Sequence, residues 1–326
     1  MNLSTTLGNL KDRASRSYYL LKIRLGEYFR KDINTTVYLF DMLVKPILLY
    51  GSDYWGCLKL PRNNPIENLY IKFCKDLLGV QKQTTNAGVL LELGKWPLSI
   101  HARKNCIKNW ERIGVHKKAN ILTQASYEWA LHNGAGWANT VKEYLSQIGL
   151  MGVFLNNESQ KSANFQVFCR EKDIFHQTEF HKMQQDTAKL RTFSKIKTEI
   201  GIENYLMNVH NITDRISLSK LRLSNHRLMI EVGRHKKIQR QNRICPFCPS
   251  HIEDEIHFIT TCPVYHTSRN ALLAELPVDC LILNADKCSL FEYLMKDKKI
   301  IRHTAKFITN ANFIREFLLA NHRNEM

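Results

Sequence analysis

The chain has 326 residues, 44% of them hydrophobic and 24% charged, which is typical of a folded protein and long enough for two or three domains. Its formal net charge of +17 is unusual and favours a polyanion as partner, either nucleic acid or an anionic membrane. The charge is local rather than diffuse. Three segments carry 16 of the 17 net charges: residues 1–31 with +5, 211–243 with +7 and 296–326 with +4.

Membrane insertion and secretion are both disfavoured. The most apolar run, residues 37–50, is interrupted by Asp41, Lys45 and Pro46 and is too short to span a bilayer. The first five residues lack the apolar core of a secretory signal, and nine scattered cysteines do not form a disulfide framework. We therefore expect an intracellular protein, nuclear or cytoplasmic, with no membrane partner.

Hydrophobic periodicity predicts a mainly α fold. Apolar residues recur every three or four positions over 7–29, which indicates an amphipathic helix, and a second helix is expected from Asn34 towards Lys45. A third is expected between the cap Asn64 and Gly79, with Pro65 in its first position. A helix is predicted over residues 101–113, with Cys106 and Trp110 on its inner side. We also expect Trp55 and Trp129 to lie in the core.

The rest of the chain is predicted to be helical with one break. We expect helices over residues 117–132 and 137–148, and the Gly-, Asn- and Ser-containing segment 149–163 is the candidate domain junction. Leu218, Leu221, Leu228 and Val232 are spaced for one apolar helix face, and Gly233 permits a C-terminal turn. Two more helices are expected, one near Leu290 and one over residues 301–321.

The most informative motif combines three cysteines and one histidine. Cys245 and Cys248 form a Cys-x-x-Cys pair, His257 follows after eight residues and Cys262 after four more. Three thiolates and an imidazole are a complete ligand set for tetrahedral zinc, and a closed set leaves no position for a substrate. The spacing therefore predicts one structural Zn²⁺.

Local signals around the motif predict a short helix carrying His257. Ser250 and Glu253 have the spacing of a capping box, and carboxylates at residues 253–255 suit a helix N-terminus. The helix must end near Thr261 for Cys262 to reach the same ion, and Pro263 can stop it.

Three other interpretations of the motif stay open. Cys245 and Cys248 alone resemble a redox pair, although no βαβ pattern surrounds them. The four residues can also be unrelated core thiols and a surface histidine. His251 or His266 can replace His257 as ligand.

The segment preceding the motif is the most basic of the chain. A charge run is often only a solvated face, but here it leads directly into a metal-binding motif, which favours contacts to phosphates. We predict that the nucleic-acid contacts are made by Arg215, Lys220, Arg222, Arg227, Arg234, Lys236, Lys237, Arg240 and Arg243.

Several runs together resemble non-LTR (LINE-type) retrotransposon reverse transcriptases, over roughly residues 1–270. The runs are residues 39–51 with Trp55-Gly56, 73–75 with 78–80, Asn86, 92–98, 218–234, 243–245, 252–258 and Cys262-Pro263. They are similar to the region just downstream of that family's polymerase core and to its C-terminal Cys-Cys-His-Cys knuckle.

The resemblance implies an architecture of helical regions followed by a small zinc knuckle. Residues 1–115 would be a thumb-like region that grips a template–primer duplex, and 116–210 a helical connector. Residues 211–270 would be a basic helix plus the zinc knuckle, which holds RNA or the target DNA strand during target-primed reverse transcription. Residues 271–326 lie beyond the resemblance, and the two helices predicted there make them a C-terminal helical segment.

The chain departs from the family in its catalytic parts. It has no Tyr/Phe-Ala-Asp-Asp tetrapeptide for two magnesium ions, so we expect no polymerase activity. We expect a C-terminal part of such an element that binds RNA, DNA or both and no small-molecule substrate, with the upstream reverse-transcriptase core as a further candidate partner. The alternatives are a structural remnant or zinc-dependent interaction protein without nucleic-acid activity, and an enzyme of redox or nuclease type.

Overall fold

The computed structural model describes residues 3–61, 64–116, 121–134, 136–155, 162–185, 189–276 and 286–324. These residues are mainly helical, which confirms the predicted mainly α class. Their only β structure is two isolated antiparallel bridges, between Leu93 and Ile202 and between Ile244 and Ile252. None of the described helices has the length and apolar character needed to cross a membrane.

The helices are numbered in chain order. The first group is α1 (Leu3–Leu25), α2 (Tyr28–Lys31), α3 (Ile33–Leu43), α4 (Lys45–Leu48), α5 (Ser52–Trp55), α6 (Pro65–Leu78), α7 (Asn86–Glu92), α8 (Leu98–His116), α9 (Ile121–His132), α10 (Gly136–Gln147) and α11 (Met151–Leu155). The second group is α12 (Ala163–Phe175), α13 (His181–Gln185), α14 (Phe193–Ile196), α15 (Asn204–Asn208), α16 (Ile212–Arg222), α17 (Met229–His235), α18 (Glu255–Thr260), α19 (His266–Leu273), α20 (Lys287–Lys296) and α21 (Ile301–Asn324). A π-helical turn, His176–Phe180, joins α12 to α13, and short 3₁₀ turns cover Arg240–Asn242 and Pro263–Tyr265.

The chain forms two compact units, each built from separate segments. The first unit comprises Met1–Gly26, Asn34–Phe73 and Trp96–His181, and the second comprises Glu27–Ile33, Cys74–Lys95 and Lys182–Met326. The candidate junction at 149–163 does not separate them, because the first unit extends across it; its residues 156–161 lie outside the described residues. The boundaries of the four regions that we derived from the sequence stay a prediction.

The first unit has an aromatic core beneath α1. The predicted stripe on α1 is confirmed for Leu7, Leu10, Ala14, Tyr18 and Leu21, which are buried. The predicted end near residue 29 is wrong, because α1 stops at Leu25 and Gly26 has a left-handed φ of +49°. The ring of Tyr18 meets the rings of Phe40 and Phe73 edge-on, with centroids 6.0 Å away in each case. Phe40 and Phe73 stack at 3.7 Å. Edge-to-face and stacked rings stabilise a core beyond the area that they bury.

Two of the three tryptophans expected in the core are buried. Trp55 and Trp110 lie inside the first unit, and Trp110 Nε1 donates to the Tyr127 hydroxyl at 2.9 Å. The expectation for Trp129 is wrong, because its side chain is 64% exposed. Helix α9 turns Tyr127 inwards, and a residue two positions later lies about 200° further around the helix.

Helix α6 has the termini that its sequence predicts. The Asn64 side chain accepts a hydrogen bond from the Glu67 backbone N–H at 2.9 Å. At the other end Gly79 has a left-handed φ of +67°. The N–H of Val80 then donates to the Lys75 carbonyl at 3.1 Å, which is the Schellman arrangement. Local capping signals were therefore sufficient to bound this helix.

In the second unit, α16 packs against α21. Leu218, Leu221 and Leu228 are buried as predicted, and Val232 is half-buried. They do not form one helix face, and that part of the prediction is wrong: α16 ends at Arg222, and α17 begins only at Met229. Gly233 does not end its helix, and that prediction is wrong: α17 continues to His235. Gly233 instead leaves room for a neighbour, because a Cβ there would lie 2.6 Å from Cγ of Arg243. The two C-terminal helices, α20 and α21, are confirmed.

Candidate metal centre

The second unit brings the three cysteines and the histidine of the sequence motif together. The ligand atoms of Cys245, Cys248, His257 and Cys262 all lie within 4.8 Å of one another. Sγ of Cys262 is 3.9 Å from Sγ of Cys245 and 4.0 Å from Sγ of Cys248. Nε2 of His257 is 3.0 Å from Sγ of Cys248. A group of this size and composition can hold one metal ion.

A tight loop over residues 244–254, called the metal-binding loop below, positions the first two sulfurs. Ile244 and Ile252 pair in an isolated antiparallel bridge, and the N–H of Cys245 donates to the His251 carbonyl at 2.8 Å. The N–H of His251 donates back to the Cys248 carbonyl at 3.3 Å. The loop therefore folds over itself, with Cys245 buried and Cys248 half-buried.

Helix α18 supplies the imidazole, although its start differs from the predicted one. The N-cap is Asp254, whose Oδ1 accepts from the His257 N–H at 2.8 Å. The predicted capping box of Ser250 and Glu253 is therefore wrong. Ile252 is extended because it pairs in the bridge, so the helix starts only after it. The helix ends at Thr260, and Cys262 follows it as expected.

The hydroxyl of Thr261, a residue not predicted to belong to the site, orients the imidazole ring of His257. Nδ1 of His257 lies 3.0 Å from Oγ1 of Thr261, so a proton on Nδ1 donated to that hydroxyl leaves the Nε2 lone pair facing the sulfurs. The other two candidate histidines lie outside the group. His251 is exposed and stacks on the His257 ring at 5.2 Å, and exposed His266 lies near Asn270 in α19.

The three sulfurs lie so close together that the pKa values of the three thiols differ from one another. A hydrogen bond from Cys262 lowers the pKa of Cys245 to about 3, and the same bond raises the pKa of Cys262. Burial raises the pKa of Cys248 to about 11. The group thus stabilises negative charge on one sulfur at the expense of its neighbours, and a bound cation would take the place of the shared protons.

Two buried arginines make hydrogen bonds beside this group. Both carboxylate oxygens of Glu253 accept from the guanidinium of Arg315 on α21, each at 2.8 Å, and the N–H of Met229 also donates to Glu253 at 2.6 Å. Arg269 donates to the carbonyls of Ile259 and Cys262, both at 2.7 Å. Arg315 therefore attaches the metal-binding loop to α21, and Arg269 attaches the end of α18 and Cys262 to α19.

A second arginine–carboxylate cluster lies at the start of α18. Arg191 contacts Glu255 at 2.5 Å and Glu231 at 2.8 Å, and His226 Nε2 lies 2.9 Å from Glu255. Burial alone would raise the pKa of Glu255, but the hydrogen bond to His226 and the charge of Arg191 outweigh it and hold that pKa low. Glu253 and Glu255 are thus buried ion-pair partners rather than solvated charges at a helix N-terminus.

The nine predicted nucleic-acid residues divide by exposure. Arg227, Lys236, Lys237 and Arg240 are exposed, Lys220, Arg234 and Arg243 are half-buried, and Arg215 and Arg222 are buried. Arg234 is paired with Glu231 at 2.7 Å. Arg243 donates to the carbonyls of Ile238 and Ile230, both at 3.0 Å. The accessible charge is therefore concentrated in the turn between α17 and the metal-binding loop.

The prediction that Arg215 and Arg222 contact nucleic acid is corrected, because both guanidinium groups are buried and make their contacts inside the second unit. Arg222 pairs with Glu92 at 3.0 Å and with Glu203 at 2.7 Å. Arg215 donates to the carbonyls of Val209, at 3.1 Å, and Arg30. A charge that is buried with its partners is unavailable to a phosphate.

One residue of the exposed turn, Lys237, has a backbone conformation that is unfavourable for a lysine. Lys237 has a φ of +59° and is the first residue beyond the end of α17 and its cap. The N–H of Ile238 donates to the Gly233 carbonyl at 2.8 Å, which completes a Schellman turn. That position is usually occupied by glycine, because an L side chain is strained there.

Comparison with known proteins adds no relative. No protein-family model matches the chain, and searches of characterised proteins and of solved structures also gave no match. The resemblance to non-LTR retrotransposon reverse transcriptases therefore rests on the quoted motifs and stays a prediction.

Proposed function

We propose that this protein is a zinc-stabilised nucleic-acid-binding module without catalytic activity of its own. The observation that carries the proposal is the position of the exposed cations Lys236, Lys237 and Arg240. They lie in the turn that follows α17 and leads directly into the cysteine–histidine group. A turn fixed at both ends can present several cations to consecutive phosphates without first having to order them.

Zinc is the ion that suits the group best. Three sulfurs and one imidazole nitrogen are the donors of structural zinc sites, whereas magnesium and calcium take oxygen ligands. All four positions would be filled by Cys245, Cys248, His257 and Cys262, so the ion would support the fold rather than activate water. This arrangement also argues against a redox role for Cys245 and Cys248, since both thiolates would be occupied.

The conformation of Lys237 supports a role in binding. Residues in strained backbone regions occur preferentially at functional sites, where the strain is maintained for the chemistry of the side chain. Glycine would fit this turn better, yet the chain has an exposed lysine there. We infer that the ammonium group of Lys237 contacts the ligand.

The resemblance to non-LTR retrotransposon reverse transcriptases suggests a context for the proposed activity. In that context residues 1–115 are a thumb-like region, and the zinc knuckle holds RNA or the target DNA strand during target-primed reverse transcription. The upstream polymerase core would be a partner of the chain. We propose that the present chain contributes binding to this process, and that the chemistry belongs to the polymerase core.

The experiment is a salt titration of binding. Zinc-loaded protein is titrated against labelled single-stranded RNA and duplex DNA, and the dissociation constant is measured across a series of salt concentrations. A log–log slope of about −5 or steeper indicates several phosphate contacts, because each contributes about 0.7–0.9. Absence of binding at low salt overturns the proposal and favours a zinc-dependent interaction protein or structural remnant. Metal-dependent cleavage of the nucleic acid would contradict the non-catalytic assignment.

A further inference from the structure

The C-terminal helix presents two exposed aromatic rings one turn apart. Phe313 and Phe317 of α21 are 74% and 58% exposed. Arg302 and Lys306, in the first half of the same helix, are also exposed. These four residues belong to the basic segment 296–326, and none of them is among the residues assigned above to metal or nucleic-acid binding.

The four side chains lie on one line along the helix. At about 100° per residue they fall within roughly 60° of the helix circumference, and they span about 22 Å of its length. The opposite side is packed into the second unit: Ala305, Ile308 and Ala311 are buried there, and so is Arg315, which pairs with Glu253. The line of four therefore faces solvent because of how the helix packs.

The composition of this face suits a single strand of nucleic acid. Isolated exposed apolar residues are common on protein surfaces. Here two aromatic rings follow two cations on one helix face, and binding sites for single strands combine rings that stack on bases with cations that contact the backbone. An anionic ligand also fits a chain of net charge +17.

Glu316 is the one acidic residue within the described length of α21, and its side chain lies close to a cation. Glu316 is exposed, and its carboxylate lies 3.8 Å from the guanidinium of Arg227, which is exposed as well. The pair leaves little net negative charge beside the rings. Arg227 is one of the predicted nucleic-acid residues, so this contact also places α21 beside the basic segment that precedes the metal centre.

We propose that a single strand of nucleic acid lies along this face of α21, with unpaired bases stacked on Phe313 and Phe317 and the backbone against Arg302 and Lys306. The inference rests on the proposed nucleic-acid binding and adds a preference for unpaired bases. In a duplex the faces of the bases are already stacked on each other, so the rings of Phe313 and Phe317 have no free base face to stack on. RNA and single-stranded DNA share the required chemistry.

The test measures binding of oligo-U, oligo-dT and a DNA duplex of equal length to zinc-loaded full-length protein. The variants are Phe313→Leu and Phe317→Leu, alone and together, because leucine keeps the apolar character and removes the planar ring. Phe165→Leu is the matched control: this ring is 54% exposed on α12, outside the basic segments. Circular dichroism and thermal unfolding confirm that each variant is folded.

Loss of both rings should weaken single-strand binding by about tenfold or more, since stacking contributes roughly 1–3 kcal/mol per base. Duplex binding should stay within about twofold, and the Phe165→Leu variant should behave as wild type. Unchanged single-strand binding in the folded double variant overturns the inference, yet leaves the proposed function intact if wild type still shows a steep salt slope. Failure of wild type to bind any of the three probes overturns both. Comparison of oligo-U with oligo-dT distinguishes RNA from DNA as the preferred strand.

Discussion

Arg315 in the C-terminal helix donates to both carboxylate oxygens of Glu253, which lies 62 residues earlier and two residues before the start of α18. Both side chains are buried. The Glu253 carboxylate also accepts from the backbone of Met229, at the start of α17. One carboxylate therefore joins α21, α17 and the metal-binding loop, so the stability of the candidate metal centre should depend on a residue distant in sequence.

Replacement of Arg315 tests this connection. Arg315→Met leaves the Glu253 carboxylate buried without its cation, and loss of one partner of a buried pair typically costs about 3–5 kcal/mol. We expect a fall of that size in the free energy of unfolding, measured by urea denaturation. Arg302→Met, an exposed change on the same helix, should stay within about 0.5 kcal/mol of wild type. Combination of Arg315→Met with Glu253→Gln, which removes the buried charge but keeps an oxygen to accept from the Met229 N–H, should recover most of the loss; no recovery would mean that the pair is not the cause.

Replacement of a sulfur ligand tests the metal assignment. Cys248→Ser should abolish stoichiometric zinc binding and expose residues 243–263 to proteolysis, because metal binding and folding are coupled in small zinc units. The control is Cys288→Ser, a half-buried cysteine of α20 outside the group. Zinc content is measured by elemental analysis and folding by limited proteolysis, with a chelator-treated wild type for comparison. Full zinc and full protection in the Cys248→Ser variant would show that the ligand assignment is wrong.

Lys237 offers a variant in which stability and binding should change in opposite directions. Lys237→Gly removes the strain of a left-handed lysine, so we expect the free energy of unfolding to stay equal or rise by up to about 1 kcal/mol. Binding to nucleic acid should weaken, because one phosphate contact is lost. Both quantities are measured on the same preparation. Unchanged affinity would show that the lysine ammonium does not contact the ligand.

The three exposed cations of the turn should act together on salt dependence. Changing Lys236, Lys237 and Arg240 to Gln should flatten the log–log slope by about 2–3, since each phosphate contact contributes about 0.7–0.9. Affinity should fall alike for all sequences. The control changes Lys59, Lys108 and Lys182 to Gln, which are also exposed and lie outside the three basic segments. An equal loss in the control would mean that only net charge matters.

Glu67 should make the first unit sensitive to pH. Burial raises the pKa of Glu67 from 4.5 to about 7, against the effect of hydrogen bonds from the N–H groups of Leu98 and Ser99. The folded state then binds the proton more tightly than the unfolded state, so this contribution to stability is complete below about pH 4.5 and is lost as pH rises through about 7.

The measurement is urea denaturation at several pH values. In that window Glu67 should lower the free energy of unfolding by at most about 1.4 kcal/mol per pH unit. Glu67→Gln should flatten the profile, whereas Glu128→Gln, an exposed change, should leave it unaltered. If the profile of the Glu67→Gln variant runs parallel to that of wild type, another group titrates.

Local signals were enough to predict much of the secondary structure. The stripe on α1, the cap Asn64 and the terminating Gly79 depend only on residues within one or two turns, so periodicity and capping rules apply to them directly. Where a distant partner intervened, the same rules failed. Arg243 lies against Gly233, so this glycine serves packing instead of a turn, and the Ile244–Ile252 bridge delays the start of α18.

The sequence by itself was enough to predict that Cys245, Cys248, His257 and Cys262 lie together. Ligands separated by short loops can reach one ion with little dependence on the rest of the chain. Only the tertiary structure decided which charges face solvent. Arg222 pairs with Glu92, 130 residues away, and Arg315 pairs with Glu253 across 62 residues. In sequence these arginines look the same as those of the exposed turn. Their burial depends on contacts between distant segments, which no local pattern of residues encodes.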